Sequence, residues 1–295
     1  MYTYGWGNHS DGQLGLGGIE DVQILVPKSV ACLRGKKVRE AACGLAHTLL
    51  LLRGGALYSC GCNDFGQLGH ERPRRKPALH SLALGDGSES TQDRLASVHR
   101  GARREGQLGH GLPARRATAA RRDRGPPGWE FIIVQVACGH RHSVALSRDG
   151  VLYSWGANQH GELGHGTQSP QEGADVVRGL AAVPVHGVAA GGAHSMLVTV
   201  GGSVYGWGSN RFGQLGLGDE APRGVPTVLR SLKFQKVRHV ACGEDHTVAL
   251  TTEGGVFTFG AGMYGQLGHN SKNSERLPRK VFELMGSEVC QIACG

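Results

Sequence analysis

Recurring histidines are the first candidates for metal or acid–base chemistry in this 295-residue chain, and each is followed by Ser or Thr. A zinc site needs four ligands within about 2.3 Å of one ion, whereas equivalent positions of successive repeats do not converge on a point. We therefore predict a structural role, in which a part-buried imidazole is hydrogen-bonded to backbone near a turn. The five positions are His47, His80, His142, His194 and His246.

Cysteines form the second candidate group. Four of the eight occupy one repeat position beside a glycine, which indicates small buried strand residues and neither metal ligands nor disulfides. These four are Cys43, Cys138, Cys242 and Cys294. The pair Cys60 and Cys62 has the wrong spacing for a zinc knuckle. Since Cys294 falls at the strand position of a repeat, we do not expect it to be a group-transfer cysteine.

Catalytic and cofactor motifs are absent from the sequence. It contains no phosphate loop of the Gly-x-x-x-x-Gly-Lys-Ser/Thr type. Its Gly-x-Gly strings, such as Gly206-Trp207-Gly208, end a strand and do not open a helix, which excludes the dinucleotide-binding pattern. We predict no catalytic residue, no cofactor and no metal, so the chain itself is not an enzyme. We expect the aromatic residue before the last glycine of these strings, and at the same position of the other repeats, to pack in the core of its repeat. These residues are Trp6, Trp155, Trp207 and Phe259.

A tetrapeptide repeat organises the chain. Gly-Gln-Leu-Gly begins at Gly12, Gly66, Gly106, Gly213 and Gly265, and Gly161 begins the variant Gly-Glu-Leu-Gly. A second motif, small-Gly-x-x-His, places its histidine 19 residues before the tetrapeptide in four copies. We interpret both motifs as structural repeat positions, at His47, His142, His194, His246, Gly66, Gly161, Gly213, Gly265, Trp155 and Trp207.

Each repeat predicts a β-hairpin followed by further short strands. After His142, the run Ser-Val-Ala-Leu-Ser, the turn at Gly150 and the run Val-Leu-Tyr-Ser-Trp alternate as two strands around a tight turn. A glycine lies eight residues after the histidine in all four copies, at Gly55, Gly150, Gly202 and Gly254. Units of about 52 residues with four strands cannot bury both faces alone, and radial stacking solves this. The predicted fold is an all-β propeller.

The motifs resemble those of a known family. Small-Gly-x-x-His, a hairpin ending in Trp-Gly or Phe-Gly, and Gly-Gln-Leu-Gly are similar to the repeats of the regulator of chromosome condensation, which implies seven blades. The runs 254–260, 266–270 and 282–287 look like the N-terminal propeller of the small HERC ubiquitin ligases. That resemblance implies a protein-interaction propeller that recruits substrate or regulator, ahead of a catalytic HECT domain for which these 295 residues have no room.

Charge sets one segment apart. Residues 71–124 hold 13 Lys+Arg and 6 Asp+Glu, a net charge of +7, whereas the rest of the chain carries only +1. Residues 85–128 lack strand alternation, and we expect an atypical basic insert, disordered or mis-specified, within a single propeller over 1–295. The alternative is a basic arm for nucleic acid or acidic partners. His80-Ser-Leu-Ala-Leu, upstream, looks like a displaced copy of the histidine strand.

The two ends of the chain do not coincide with the ends of a repeat. Aligned on the tetrapeptide, the chain begins and ends inside a repeat, which indicates an incomplete propeller from a longer protein. No signal peptide follows Met1 and no apolar run approaches 18 residues, so we predict a cytosolic protein without membrane insertion, the nucleus being less favoured. The expected partners are proteins, not specific nucleic acid. The second hypothesis, from the founding member of the family, is a chromatin-associated nucleotide-exchange factor for a small GTPase.

Overall fold

The computed structural model describes residues 2–17, 21–70, 75–82, 132–180 and 182–295. Four antiparallel four-stranded sheets and one two-stranded sheet make up this part of the chain. Blade 1 contains β1 (Tyr4–Asn8) and β2 (Gln23–Ser29). Blade 2 contains β3 (Val38–Cys43), β4 (His47–Leu52), β5 (Leu57–Cys62) and β6 (Arg75–Leu82). Blade 3 contains β7 (Ile133–Cys138), β8 (His142–Ser147), β9 (Leu152–Gly156) and β10 (Gln171–Val176). Blade 4 contains β11 (Val185–Ala190), β12 (His194–Thr199), β13 (Val204–Gly208) and β14 (Arg223–Val228). Blade 5 contains β15 (Val237–Cys242), β16 (His246–Thr251), β17 (Val256–Gly260) and β18 (Glu275–Lys280).

Within each four-stranded blade the strands pair in chain order. The predicted hairpin joins the second and third strands, and in blade 3 it pairs Leu146 with Leu152 across the turn that ends at Gly150. The first strands of blades 2 to 5 lie next to one another, so they form the inner edge of the array. Three-residue 3₁₀ helices at Ala31–Leu33, Arg230–Leu232 and Phe282–Leu284 follow the outer strands of blades 1, 4 and 5. The all-β propeller architecture is confirmed.

The apolar core lies between the blades. Strands β8 and β12 are buried along their whole length because neighbouring blades cover both faces. Side chains from blades 4 and 5 form one cluster that includes Met196, Leu232 and Phe259. Blades 3 and 4 form another around Trp207. Each fully buried Leu or Phe of this kind contributes about 1.5–3 kcal/mol, so stability resides in blade-to-blade contact.

The interpretation of His80 as a displaced histidine strand is wrong. His80 lies in β6, the outer strand of blade 2, where it pairs with Ser59 of β5. Histidine strands occupy the second position of blades 2 to 5 instead. The local pattern Ser-Leu-Ala-Leu suits either position, and pairing with β5 buries Leu82. The predicted insert at 85–128 and the tetrapeptide at Gly106 lie outside the described residues.

Candidate functional site

The repeated histidines lie at the joints between blades. His47 Nε2 is 3.0 Å from Ser143 Oγ of the next blade. His142 and Ser195 meet in the same way at 2.9 Å, and His194 meets Thr247 Oγ1 at 3.0 Å. In each pair the hydroxyl belongs to the residue that directly follows the next histidine. The structure therefore brings His47, His142 and His194 together with a side chain of the neighbouring blade, a partner that the sequence did not predict.

The tetrapeptide completes each joint. Ser143 Oγ donates to the backbone carbonyl of Gln67 at 2.8 Å, and Trp155 Nε1 donates to the same oxygen at 2.8 Å. Because the hydroxyl proton is used here, the hydroxyl accepts from the histidine, which fixes the proton on Nε2. Ser195 and Trp207 repeat this arrangement at the carbonyl of Glu162. The second tetrapeptide residue is thus a double acceptor for the following blade.

Two glycines show why the motifs tolerate no side chain. The His142 ring lies over Gly139, where a Cβ atom would stand 2.1 Å from ring Cε1. Gly161 of the tetrapeptide has a φ of +82° and lies against the outer strand of blade 4, where a Cβ would stand 2.6 Å from Gly224 Cα. Gly66 and Gly213 make the same approach to the next blade. Both motifs therefore serve contact between blades.

Trp6 departs from the predicted core position. Trp155 and Trp207 are fully buried under the preceding blade, but Trp6 is 60% exposed. Among the described residues no tetrapeptide carbonyl covers Trp6 as Gln67 covers Trp155. Cys43 is likewise exposed and not buried, and Cys294 lies outside any strand. The Cys138 thiol meets the carbonyl of Ala42 at 3.4 Å, and its burial raises the pKa.

Burial keeps the joint histidines neutral. Desolvation lowers the pKa of His47 to about 4 and that of His194 to about 4. For His142 burial lowers the pKa to about 3, with neighbouring histidines adding to the shift. His246 is only half-buried, and burial lowers its pKa as well. Neutral imidazoles suit hydrogen bonds of fixed direction, which we interpret as a structural role.

Replacing Trp207 by Phe is expected to lower the free energy of unfolding by about 1 kcal/mol. The ring keeps its packing, but the bond from Nε1 to the Glu162 carbonyl is lost. Phe259 occupies the same position in blade 5 and is fully buried without such a bond. The control is Trp6→Phe, where the ring is exposed. Urea denaturation measures the stability of both variants. Equal stability of Trp207→Phe and the parent would show that the bond to the Glu162 carbonyl does not stabilise the contact between blades.

A cavity of about 190 Å³ opens on one end of the blades, which we call the loop face. This face carries the turns between first and second strands and the loops that lead into the tetrapeptides. The cavity is lined by Leu45 and Phe65 of blade 2, by Arg141 and Glu162 of blade 3, and by residues of blades 4 and 5 that include Asp245. In these described blades it is a mixed apolar and charged recess.

Charged side chains on the loop face bridge neighbouring blades. The Arg211 guanidinium is 2.7 Å from Asp245 Oδ2, and this partner raises the pKa of Arg211. Gln214 Nε2 donates to the other oxygen of Asp245 at 3.1 Å. The Arg141 guanidinium lies 4.9 Å from the centre of the Phe65 ring, within cation–π range. These non-covalent contacts connect the loops of neighbouring blades on this face.

The described residues contain no cluster of three His, Cys, Asp or Glu side chains arranged to hold a metal ion. In that part of the chain, no helix is long and apolar enough to span a lipid bilayer.

Comparison with known proteins decides the family. The RCC1-like domain matches residues 2–295. The chain belongs to the RCC1-like domain family. It is 49% identical over 98% of its length to the probable E3 ubiquitin-protein ligase HERC4 of Rattus norvegicus, but it spans only 28% of that relative.

Solved structures support the fold of this RCC1-like chain. Human WBSCR16 is 22% identical, with a TM-score of 0.67 over 99% of this chain and 79% of that one. Prp20p of Saccharomyces cerevisiae, studied for its binding to Gsp1p and histones, is 19% identical, with a TM-score of 0.51 over 99% of this chain and 89% of that one. At these identities the likeness concerns the fold alone.

Sequence reasoning missed two features of the candidate site. The partners of His47, His142 and His194 lie one blade away, although the Ser or Thr that follows every repeated histidine was visible in the sequence. Glu162 was noted only as a variant of the tetrapeptide, and this residue lines the loop-face cavity.

Proposed function

We propose that this RCC1-like chain is the protein-binding propeller of a HERC-type E3 ubiquitin-protein ligase. In this role it recruits a substrate or a regulator, and transfer chemistry resides in a HECT domain outside residues 1–295. The observation that carries the proposal is the 49% identity with HERC4 over 98% of the chain. The recessed, charged loop face supports it as a surface for proteins. We expect the protein in the cytosol.

The alternative, nucleotide exchange on a small GTPase with chromatin association, has weaker support. The likeness to Prp20p is 19% identity, far below that to HERC4. A nucleotide-release assay with purified small GTPases compares the two hypotheses directly. Accelerated release by the chain would favour the alternative.

The test of recruitment uses the full-length ligase and the chain together. The full-length transcript is expected to encode a HECT domain downstream. Excess isolated chain should then compete for the bound partner and lower its ubiquitination. It should leave the ubiquitin thioester on the ligase unchanged, because recruitment and transfer are separate. Loss of both signals, or of neither, would contradict recruitment by the propeller.

The isolated chain is expected to form no ubiquitin thioester. Thioester chemistry needs a thiolate, and burial raises the pKa of Cys60 to about 12 and that of Cys294 to about 11. Burial also raises the pKa of Cys62, Cys138 and Cys242. This argument does not extend to the exposed Cys32, Cys43 and Cys290, so mass spectrometry of any adduct should examine those three first. Non-reducing electrophoresis after incubation with E1, E2 and ubiquitin measures this, with the full-length ligase as positive control. A reductant-sensitive adduct on the isolated chain would refute the prediction.

A further inference from the structure

Glu162 makes one hydrogen bond to the backbone that the equivalent residue of every described tetrapeptide also makes. In blade 4, Gln214 Oε1 accepts a hydrogen bond from the backbone nitrogen of Phe212, two residues earlier, at 2.9 Å. In blade 3, Glu162 Oε2 accepts the equivalent bond from His160 at 2.7 Å. One carboxylate oxygen of Glu162 therefore accepts the same backbone hydrogen bond that the glutamine accepts in the other tetrapeptides. The other oxygen, Oε1, is not used for that bond.

The second oxygen of Glu162 has no polar side chain opposite it at the equivalent position of the neighbouring blade. Gln214 uses its second atom, Nε2, to reach Asp245 Oδ1 of the following blade. The residue equivalent to Asp245 in blade 4 is Ala193, which precedes His194 and has no polar side chain. In the described residues the Glu162 side chain accepts one hydrogen bond, at Oε2. Oε1 is not among the fully buried atoms that lack a partner, which leaves it open to the cavity. Yet Glu162 is only 3% exposed.

The open oxygen of Glu162 can accept a further hydrogen bond, and the two arginines that line the cavity are engaged elsewhere. Arg211 is paired with Asp245. Arg141 lies over the Phe65 ring. Glu244, whose side chain is exposed, adds a second carboxylate to the cavity lining. Glu162 Oε1 can thus accept a hydrogen bond from a positively charged group that enters the cavity.

The size and lining of the cavity restrict what could supply that charge. A volume of about 190 Å³ lies below the range of about 300–1,000 Å³ that is usual for small-molecule sites. Leu45, Phe65, Ala157 and Ala193 give part of the lining an apolar character. Lys and Arg combine an apolar stem with a charged end that donates hydrogen bonds. One such side chain matches both the apolar lining and Glu162.

We propose that the loop-face cavity receives a single Lys or Arg side chain from a partner protein, with Glu162 as its charge partner. The inference rests on the proposed function, since it names the chemistry by which the propeller recognises a protein. The stem packs between the blades against Phe65 and Ala193. The charged end meets Glu162 Oε1, while Oε2 keeps its bond to the backbone of His160.

Glu162→Gln tests the proposal with minimal disturbance. It restores the residue that the other tetrapeptides carry and keeps the acceptor for the His160 backbone, so we expect an unchanged Tm. The probe is a phage-displayed random heptapeptide library, selected separately on the 1–295 chain and on Glu162→Gln. Glu253→Gln is the charge-matched control, because Glu253 lies at a hairpin turn away from the loop-face cavity.

Selection on the parent chain should enrich Lys or Arg at one fixed peptide position. This preference should persist on Glu253→Gln and disappear on Glu162→Gln. The best synthetic peptide should bind Glu162→Gln about 10-fold more weakly by calorimetry. Replacing its basic residue by norleucine should cost a similar factor on the parent chain and nothing further on Glu162→Gln. Such non-additivity identifies the contact.

Two results would overturn the proposal in different ways. Peptides that bind Glu162→Gln as tightly as the parent chain would refute the role of Glu162 and leave a protein-binding propeller intact. A library without any binder that depends on Glu162 would also refute the pocket. The ubiquitination competition assay then decides separately whether the propeller recruits proteins elsewhere on its surface.

Discussion

Acidification from pH 7.5 to pH 5 is expected to lower the free energy of unfolding by about 6 kcal/mol. The cause is the set of joint histidines, whose pKa values fall from 6.5 to about 4 for His47 and His194 and to about 3 for His142. In the unfolded chain these imidazoles bind protons below pH 6.5, whereas in the folded chain they stay neutral down to about pH 4. Stability is therefore complete above pH 6.5 and falls steadily below it, by about 2 kcal/mol per histidine at pH 5.

The loss at pH 5 is comparable with the whole stability of a typical domain, about 5–15 kcal/mol. Urea denaturation at pH 7.5, 6.5, 6 and 5 measures the slope, which should be steepest between pH 6 and pH 5. An NMR titration of the histidine Cε1 protons gives an independent control, since the buried imidazoles should not titrate between pH 8 and pH 5. A flat stability profile over this range would show that these histidines are not buried as neutral groups.

Local sequence patterns predicted the blades well because hairpins are local structures. The turn at Gly150 follows His142 by eight residues, and the strands on either side pair as the alternation indicates. The same logic failed for His80, whose neighbours fit a second strand or an outer strand equally. Pairing with β5, a contact outside the local pattern, decided its position.

Contacts between blades were beyond sequence reasoning because they join residues of different repeats. The bond from His142 to Ser195 spans 53 residues, and no local pattern states that the hydroxyl belongs to the next blade. Trp6 and Trp155 share one repeat position yet differ in exposure from 60% to fully buried. Burial at this position depends on the preceding blade. Glu162 differs from these contacts because it was visible in the sequence, as the one tetrapeptide with Glu in place of Gln, and it lines the loop-face cavity.

Replacing His142 by Ala is expected to lower the free energy of unfolding by about 3 kcal/mol at pH 7.5. The substitution removes a fully buried ring that packs on Gly139 and leaves a void between blades. It also deprives Ser195 Oγ of its donor from the preceding blade. The exposed His186 of β11 provides the matched control, and His186→Ala should change stability by less than about 0.5 kcal/mol.

The His142 and Ser195 pair also permits a double-mutant cycle. If the joint is one unit, His142→Ala and Ser195→Ala together should cost less than the sum of their separate effects. The Ser195 hydroxyl donates to the Glu162 carbonyl, so Ser195→Ala leaves that carbonyl with its bond from Trp207 alone. His142→Ala should further reduce the pH dependence between pH 7.5 and pH 5 by about one third, because one of three strongly shifted imidazoles is gone. A variant that loses stability but keeps the full pH dependence would separate packing from protonation and assign the acid sensitivity to other groups.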